Sequence, residues 1–286
     1  MLINSYAKIN LSLKIGRKLP NNYHQINSVF HQINLHDKIS IKKLKKNKII
    51  IKSNIKNTEN KDNLAYKAAS LLKKRYKIKD GIEIKIDKNI PMQSGLGGGS
   101  SNAASTLTAL NSLFDLKLDK DELMKLASKI GSDVPFFIEG KTCLVSGIGD
   151  KVKKIDSLNL NFVLIKPDIG IPTKLAYNEY DKHIENNTKI KKENKTKKLA
   201  EALKQKNIEK IAENLHNDFE PVIIRKYPII KKIKNDLIKN SALNALMSGS
   251  GSAVFGIFKN KSEAETAFEK LKEKYNFVYL SVSLKS

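Results

Sequence analysis

"PMQSGLGGGSSNAAS", residues 91 to 105, sets Gly95, Gly97, Gly98 and Gly99 beside Ser100 and Ser101 and then runs into an alanine-rich stretch. Two readings are open: a cradle for phosphate, or a flexible hinge. The common phosphate-loop pattern has a lysine directly before its hydroxyl residue, and this loop has none. If it holds a nucleotide, its cation must come from another segment.

The flanking sequence favours the cradle. Upstream, "GIEIKIDKNIP" alternates Ile82, Ile84 and Ile86 in the manner of a strand, and Pro91 ends it. Downstream, Ala103, Leu107, Leu110 and Phe114 recur at helical spacing. A strand, a glycine turn and a helix N-terminus in series leave unpaired backbone N–H groups and the positive end of a helix dipole facing outward, which suits an anion.

Working outward, "YAKINLSLKI" (6–15) places Ala7, Ile9, Leu11, Leu13 and Ile15 on one side of a strand and Lys8 with Asn10 on the other. "KIIIKSNI" (48–55) predicts a further strand, and "DNLAYKAASLLKKRY" (62–76) a helix capped by Asp62 or Asn63. A helix is expected from about Asp119, with Glu122 as its capping-box partner, to Gly131. "NNTKIKKENKTKK" (186–198) reads as a solvated loop or mobile connection. Two helices are expected at about 199–215 and 226–239, followed by a second small-residue turn in "NALMSGSGSAVFGIF" (244–258) and a final helix and strand.

The chain has 286 residues, enough for one large or two modest domains, and no run approaches the ~18 apolar residues of a membrane span. Its opening residues lack the pattern of a secretion signal, so a cytoplasmic location without a membrane partner is expected. Cys143 is the single cysteine, so no intrachain disulfide can form. His24, His31, His36, His183 and His216 show no paired ligand spacing, and no metal-binding residue is assigned. The formal charge of +24 raises the question of nucleic acid. Only Arg17, Arg75 and Arg225 among the 53 basic residues carry the guanidinium fork that base and phosphate contacts favour. Lysine is spread along the whole chain, so a solvated basic surface is expected instead of a nucleic-acid site.

Three separated segments now agree: "AKINLSL" (7–13), "PMQSGLGGGSSNAAS" (91–105) and "MSGSGSAVFGIF" (247–258). In this order they resemble the GHMP kinases, the small-molecule kinases named for galactokinase, homoserine kinase, mevalonate kinase and phosphomevalonate kinase. "GRKLPNNYH" (16–24), "GSDVPFF" (131–137), "IPTKLAY" (171–177) and "HNDFEP" (216–221) extend the likeness along nearly the whole chain. The resemblance implies a two-domain α+β fold. Residues 1–155 would form an ATP-binding domain like domain 2 of ribosomal protein S5, and residues 156–286 a ferredoxin-like domain completing the acceptor cleft. It also implies ATP as phosphoryl donor, Mg2+ bridging its phosphates, and a cytidine diphosphate conjugate as acceptor.

Residue by residue, the resemblance makes Lys8 and Asp133 catalytic, the carboxylate taking the hydroxyl proton and the ammonium stabilising charge beside it. Read without it, Lys8 is an exposed strand lysine and Asp133 a helix cap. Gly95, Gly97, Gly98, Gly99, Ser100 and Ser101 would wrap the ATP phosphates, and Pro91, Gln93, Ser94 and Leu96 would complete the ATP-binding set. Asn63, Lys88, Met92 and Asn102 would flank the base and sugar, although Asn63 also reads as a cap and Met92 as core. Tyr23 and Tyr177 would sandwich the cytosine, with His24, Asn10 and Thr173 beside the acceptor. One departure stands before the Tyr-His pair: Asn21 and Asn22 replace the family's usual acidic residue and glycine. Asparagine tolerates left-handed turn geometry, so the turn is expected to survive.

Overall fold

The computed structural model describes residues 1–56, 58–185 and 195–284. Two sheets organise it. The larger contains β1 (Leu2–Lys18), β2 (His24–Leu44), β3 (Ile49–Ser53), β4 (Gly81–Asp87), β5 (Thr142–Ser146) and β6 (Lys151–Lys154). Its order runs β3-β4-β2-β1, with β5 also on β2 and β6 on β5. The smaller holds β7 (Asn161–Ile165), β9 (Asn244–Met247), β10 (Val254–Phe258) and β11 (Val278–Val282), all antiparallel in the order β11-β7-β10-β9. The two-residue β8 (His216–Asn217) lies between β7 and β9 in the chain yet returns to the larger sheet, pairing in parallel with β1.

Alternation explains how the sheets stack. In the smaller sheet Val163, Ile165, Met247 and Val254 face one way, against the helices Ile229–Lys239 and Lys261–Lys272. Their neighbours Phe162, Leu164, Leu246, Phe255 and Ile257 face the other way and pack on Ala7, Ile9, Leu11 and Val29 of β1 and β2. A third cluster has its buried residues between Ile39 and Val134, with Ile3 of β1 packed at its edge; there β2 and β4 receive the helices Leu64–Arg75, Gly98–Leu113 and Lys120–Ser128. Each fully buried aliphatic or aromatic side chain in these layers stabilises the fold by about 1.5–3 kcal/mol.

β1 departs from the expected half-buried strand, because elements cover both of its faces. The apolar side is buried as predicted, but so are Ser5, Lys8, Asn10 and Ser12. The β1–β2 register slips between Tyr6 and Lys8 and again between Asn10 and Ser12. Such irregularities turn backbone groups out of the ladder. Here the Lys8 N–H donates to Leu96 O (3.0 Å) and the Asn10 N–H to Ser248 Oγ (3.3 Å).

The Asp119–Glu122 capping box forms as predicted, and Asn63 caps the helix at Leu64 through the Ala65 N–H. Two expectations need correction. The helix proposed at 199–215 is two helices, Lys195–Lys204 and Ile208–Glu213, because Lys206 takes a positive φ of 54° and Asn207 caps the second through the Lys210 N–H. The proposed loop at 186–198 is helical from Lys195, with Thr196 buried against Asn27 O; the rest of that stretch lies outside the described residues. Among the described residues no helix is long and apolar enough to cross a membrane.

His31 links strand to terminus. It is buried, with Nδ1 on Thr142 Oγ1 and Nε2 on Ser283 Oγ, both at 2.8 Å, and burial pulls its pKa down to about 4. As pH falls from about 6.5 to about 4 the unfolded chain takes up this proton before the folded one, so stability is lost across that window. The loss is about 3 kcal/mol. Denaturant unfolding at a series of pH values is expected to show this slope in the native chain and a flatter one in His31→Gln.

Candidate active site

The glycine loop is packed, not hinged. Gln93, Gly95 and Gly97 take φ values of 50°, 76° and 71°, and Gly97 is the N-cap of the helix Gly98–Leu113. A Cβ at Gly97 would sit 2.8 Å from Phe137 Cζ and 3.1 Å from Lys8 Cγ, so glycine is required there for space as well as for backbone angle. The loop is held from outside by Ala253 N–H on Ser94 O (3.0 Å), Ser248 Oγ on Gly95 O (3.1 Å) and Ile171 N–H on Gln93 O (3.3 Å). These bonds leave the first N–H groups of the helix facing the cleft.

That cleft has a volume of about 790 Å³ and is lined by the loop from Pro91 to Ser100, by Lys8 and Asn10 on β1, and by Asp133 and Tyr177. Ser101 is the exception within the expected phosphate set. It is buried off the cleft, its hydroxyl donating to Tyr6 O (2.6 Å) and lying 2.7 Å from Ser5 Oγ, so it fastens the helix to β1. Asn102 does line the cleft, with its Oδ1 accepting from Ser5 Oγ.

Lys8 is only 3% exposed. Its Nζ donates to Asn10 Oδ1 (2.6 Å), lies 3.8 Å from Asp133 Oδ2 and stands 4.3 Å from the centre of the Phe30 ring. Burial lowers its pKa, and the Asp133 carboxylate pulls it back up. Asp133 opens the helix Val134–Glu139, but its side chain makes no capping bond and is one-third exposed. The capping reading therefore fails, and so does the exposed-lysine reading of Lys8. Asn10, expected beside the acceptor, spends Oδ1 on Lys8 and donates Nδ2 to Ser28 Oγ (3.1 Å).

At the other end of the cleft Met92 is 51% exposed, which excludes a core role. Asn63 lines the same region with its amide engaged by Ala65 N–H and Thr58 O. Lys88 reaches the cleft from a salt bridge to Asp37, a fully buried carboxylate that also accepts from the Asn89 and Ile90 N–H groups. Sequence reading missed Asp37, since nothing local marks a lone strand aspartate whose partner lies 51 residues away.

In the turn before β2, Asn22 takes φ 63°, and the Asn22 N–H donates to Leu19 O while the Leu19 N–H donates to Tyr23 O, so the departing pair still makes the turn. Tyr23 is 55% exposed and lines the cleft. Tyr177 does so too, with one face already stacked on His24 (centroids 4.8 Å, planes 16° apart) and Phe219 edge-on at 4.8 Å. His24 is buried behind it, with Nε2 2.7 Å from Asp181 Oδ1, a partner the sequence reading did not include. Thr173 meets Ser250 of the second glycine turn at 3.2 Å. Among the described residues no group of three or more His, Cys, Asp or Glu is placed to hold a metal.

The family model described as "GHMP kinases N terminal domain" matches residues 63–141, and "GHMP kinases C terminal" matches residues 199–276. A relative from Caldicellulosiruptor saccharolyticus, named 4-diphosphocytidyl-2-C-methyl-D-erythritol kinase, is 42% identical over 95% of this chain and 93% of its own. One of the same name from Clostridioides difficile is also 42% identical, over 97% and 93%. A crystal structure of 4-(cytidine 5'-diphospho)-2C-methyl-D-erythritol kinase superposes with a TM-score of 0.83 at 28% identity, covering all of both chains. L. major mevalonate kinase in complex with R-mevalonate shares the fold at a TM-score of 0.77 and 17% identity, over all of this chain and 96% of that one.

The packed loop makes a sharp distinction between its glycines. A Cβ at Gly95 would lie 2.0 Å from Ser248 O on a backbone at positive φ, whereas one at Gly99 meets only Leu64 Cδ1 at 3.7 Å. Gly95→Ala is expected to cost about 2–5 kcal/mol and Gly99→Ala less than about 1 kcal/mol, both read by thermal melting.

Proposed function

Because the chain belongs to the GHMP kinases, we propose that it transfers the γ-phosphoryl group of ATP to the 2-hydroxyl of 4-diphosphocytidyl-2-C-methyl-D-erythritol, in non-mevalonate isoprenoid precursor synthesis. The observation that carries the mechanism is the buried Lys8 ammonium facing the Asp133 carboxylate in a cleft that the glycine loop also lines. In this reading residues 1–155 form the ATP-binding domain and residues 156–286 the domain that closes the acceptor side. Most strands support that division, since β1 to β6 end at Lys154 and β7 begins at Asn161, while the two-residue β8 crosses back to β1.

ATP would lie with its phosphates on the N–H groups of Gly98, Gly99 and Ser100, at the positive end of the helix, and its base toward Asn63 and Met92. The acceptor would enter from the Tyr23 and Tyr177 side. Asp133 takes the proton as the 2-hydroxyl oxygen attacks phosphorus; the new O–P bond forms as the bond to the β,γ-bridging oxygen breaks, and ADP leaves. Lys8 offsets negative charge beside that oxygen and steadies the carboxylate, and Asn10 holds Lys8 in place. The cleft suits Mg2+ bound chiefly through phosphate: among the described residues its lining carboxylates are Asp62 and Asp133, so phosphate oxygens would supply most of the coordination and the ion would neutralise their charge.

Asp133→Asn is expected to lower turnover by ~10²-fold or more with the fold intact, and Lys8→Ala to do similar damage. Lys8→Arg is expected not to restore activity, since a planar fork does not replace a point charge at a buried site. Near-normal turnover in Asp133→Asn removes that residue from the mechanism.

Substrate identity is tested by ATP consumption with and without the cytidine conjugate. Strong activity is expected on that acceptor and little on mevalonate, homoserine or galactose. Tyr177→Ala is expected to raise the acceptor's KM by roughly 10- to 100-fold, the loss of one stacked base, with little change in KM for ATP. Robust turnover of an acceptor lacking cytidine would overturn the assignment.

A further inference from the structure

Asn102 stands in the second turn of the helix Gly98–Leu113 and is only 3% exposed, yet it lines the cleft. Its Oδ1 accepts at 2.8 Å from the hydroxyl of Ser5, a fully buried residue of β1. The neighbouring Ser101 spends its own hydroxyl proton on Tyr6 O. Among the described residues nothing accepts from Asn102 Nδ2, and the one sealed side-chain atom without a partner is Asn27 Oδ1. Asn102 Nδ2 is therefore open to the cleft. A helical side chain leans toward the helix N-terminus, over the residues three and four positions earlier. For Asn102 these are Gly99 and Gly98, which carry no side chain to block it. From the other side the Lys88 ammonium, held by Asp37, lies 3.0 Å from where a Cβ on Gly98 would be. Free backbone N–H groups, an amide nitrogen and an ammonium thus gather on one turn. Donors alone suit an anion; a base or a ribose would bring donors of its own that find no acceptor there.

Resting on the ATP site proposed above, we infer that Asn102 Nδ2 donates to the ATP phosphates, not to the base or sugar, and that Ser5 is the positioning residue that aims it. A primary amide can turn either its oxygen or its nitrogen to a ligand, and an oxygen turned to phosphate sets lone pairs against negative charge. Ser5 fixes the choice by spending its proton on Oδ1. Ser5 is buried on the strand side of the helix, so its effect on the nucleotide passes through Asn102. The strand that carries Lys8 thereby also orients a donor on the phosphate helix.

The test measures binding of ATP and of adenosine by calorimetry in the native chain, Ser5→Ala, Asn102→Asp, Asn102→Ala and the double variant Ser5→Ala/Asn102→Ala. EDTA is present, so that no metal bridges a new carboxylate to the phosphates, and the melting temperature checks that each fold persists. Asn102→Asp keeps an acceptor for Ser5 but turns negative charge to the phosphates, and is expected to weaken ATP binding ~100-fold or more. Asn102→Ala is expected to weaken it ~10- to 100-fold and Ser5→Ala ~3- to 10-fold, while adenosine binding shifts less than ~2-fold in every variant. Because Ser5 acts through Asn102, Ser5→Ala is expected to add less than ~2-fold once Asn102 is alanine. Adenosine affinity that falls in step with ATP affinity places Asn102 at the base or sugar, or reports a packing defect, and overturns the inference. An Asn102→Asp chain that binds ATP as tightly as the native one also overturns it, since the amide oxygen would then be the atom facing the ligand. A native chain that does not bind ATP overturns the proposed ATP site and this inference together; one that binds ATP while Ser5→Ala and Asn102→Ala leave its affinity unchanged overturns the inference alone.

Discussion

A buried ammonium needs partners, and the demands of Lys8 run through the whole site. Removing a charge from water costs several kcal/mol unless hydrogen bonds and an opposite charge replace the lost hydration. Asn10 supplies one bond, Asp133 the opposite charge and Phe30 a ring face. Each sits on a different element: Asn10 further along β1, Phe30 on β2, and Asp133 at the mouth of a short helix. Fixing the cation therefore fixes the mutual position of all three. The register slips in β1 do the rest, since they free the N–H groups of Lys8 and Asn10 to hold one glycine turn each.

The two glycine turns are thereby complementary parts of a single seam. Gly95 must be bare because Ser248 O lies where its side chain would be, and Ser248 is there because its hydroxyl bridges Asn10 N–H and Gly95 O. Asn217, within "HNDFEP", donates to Met247 O and Gly249 O from a strand paired to β1. The C-terminal half thus braces, from outside, the glycine loop that the N-terminal half carries.

Much of this arrangement was legible in the sequence, and the reason differs from feature to feature. The alternation of β1, the capping box at Asp119 and the apolar stripe after Gly98 are local patterns that tertiary packing did not override. The turn at Asn22 could be foreseen because asparagine accepts positive φ. What escaped were relations between distant segments. The burial of Lys8 depends on elements that cover both faces of β1, and the Asp37–Lys88 and His24–Asp181 pairs join strands to segments 51 and 157 residues away. Ser101 was expected at the phosphates from the family resemblance, but at its helical position its hydroxyl turns to Tyr6 and Ser5 of β1. The single helix expected at 199–215 failed at Lys206, where no glycine or proline marks the break.

The seam also bears on how the chain matures as it is synthesised. The cluster whose buried residues run from Ile39 to Val134 contains its own strands and helices and can collapse once that stretch has left the ribosome. The bonds that brace the phosphate loop come from residues 171, 248 and 253, far later in the chain. A nascent N-terminal half therefore carries the glycine-rich stretch without the clasp that shapes it. The shape of that loop becomes a property of the finished polypeptide, and a fragment cut short before Ser248 would carry Lys8 on a strand that has lost part of its cover.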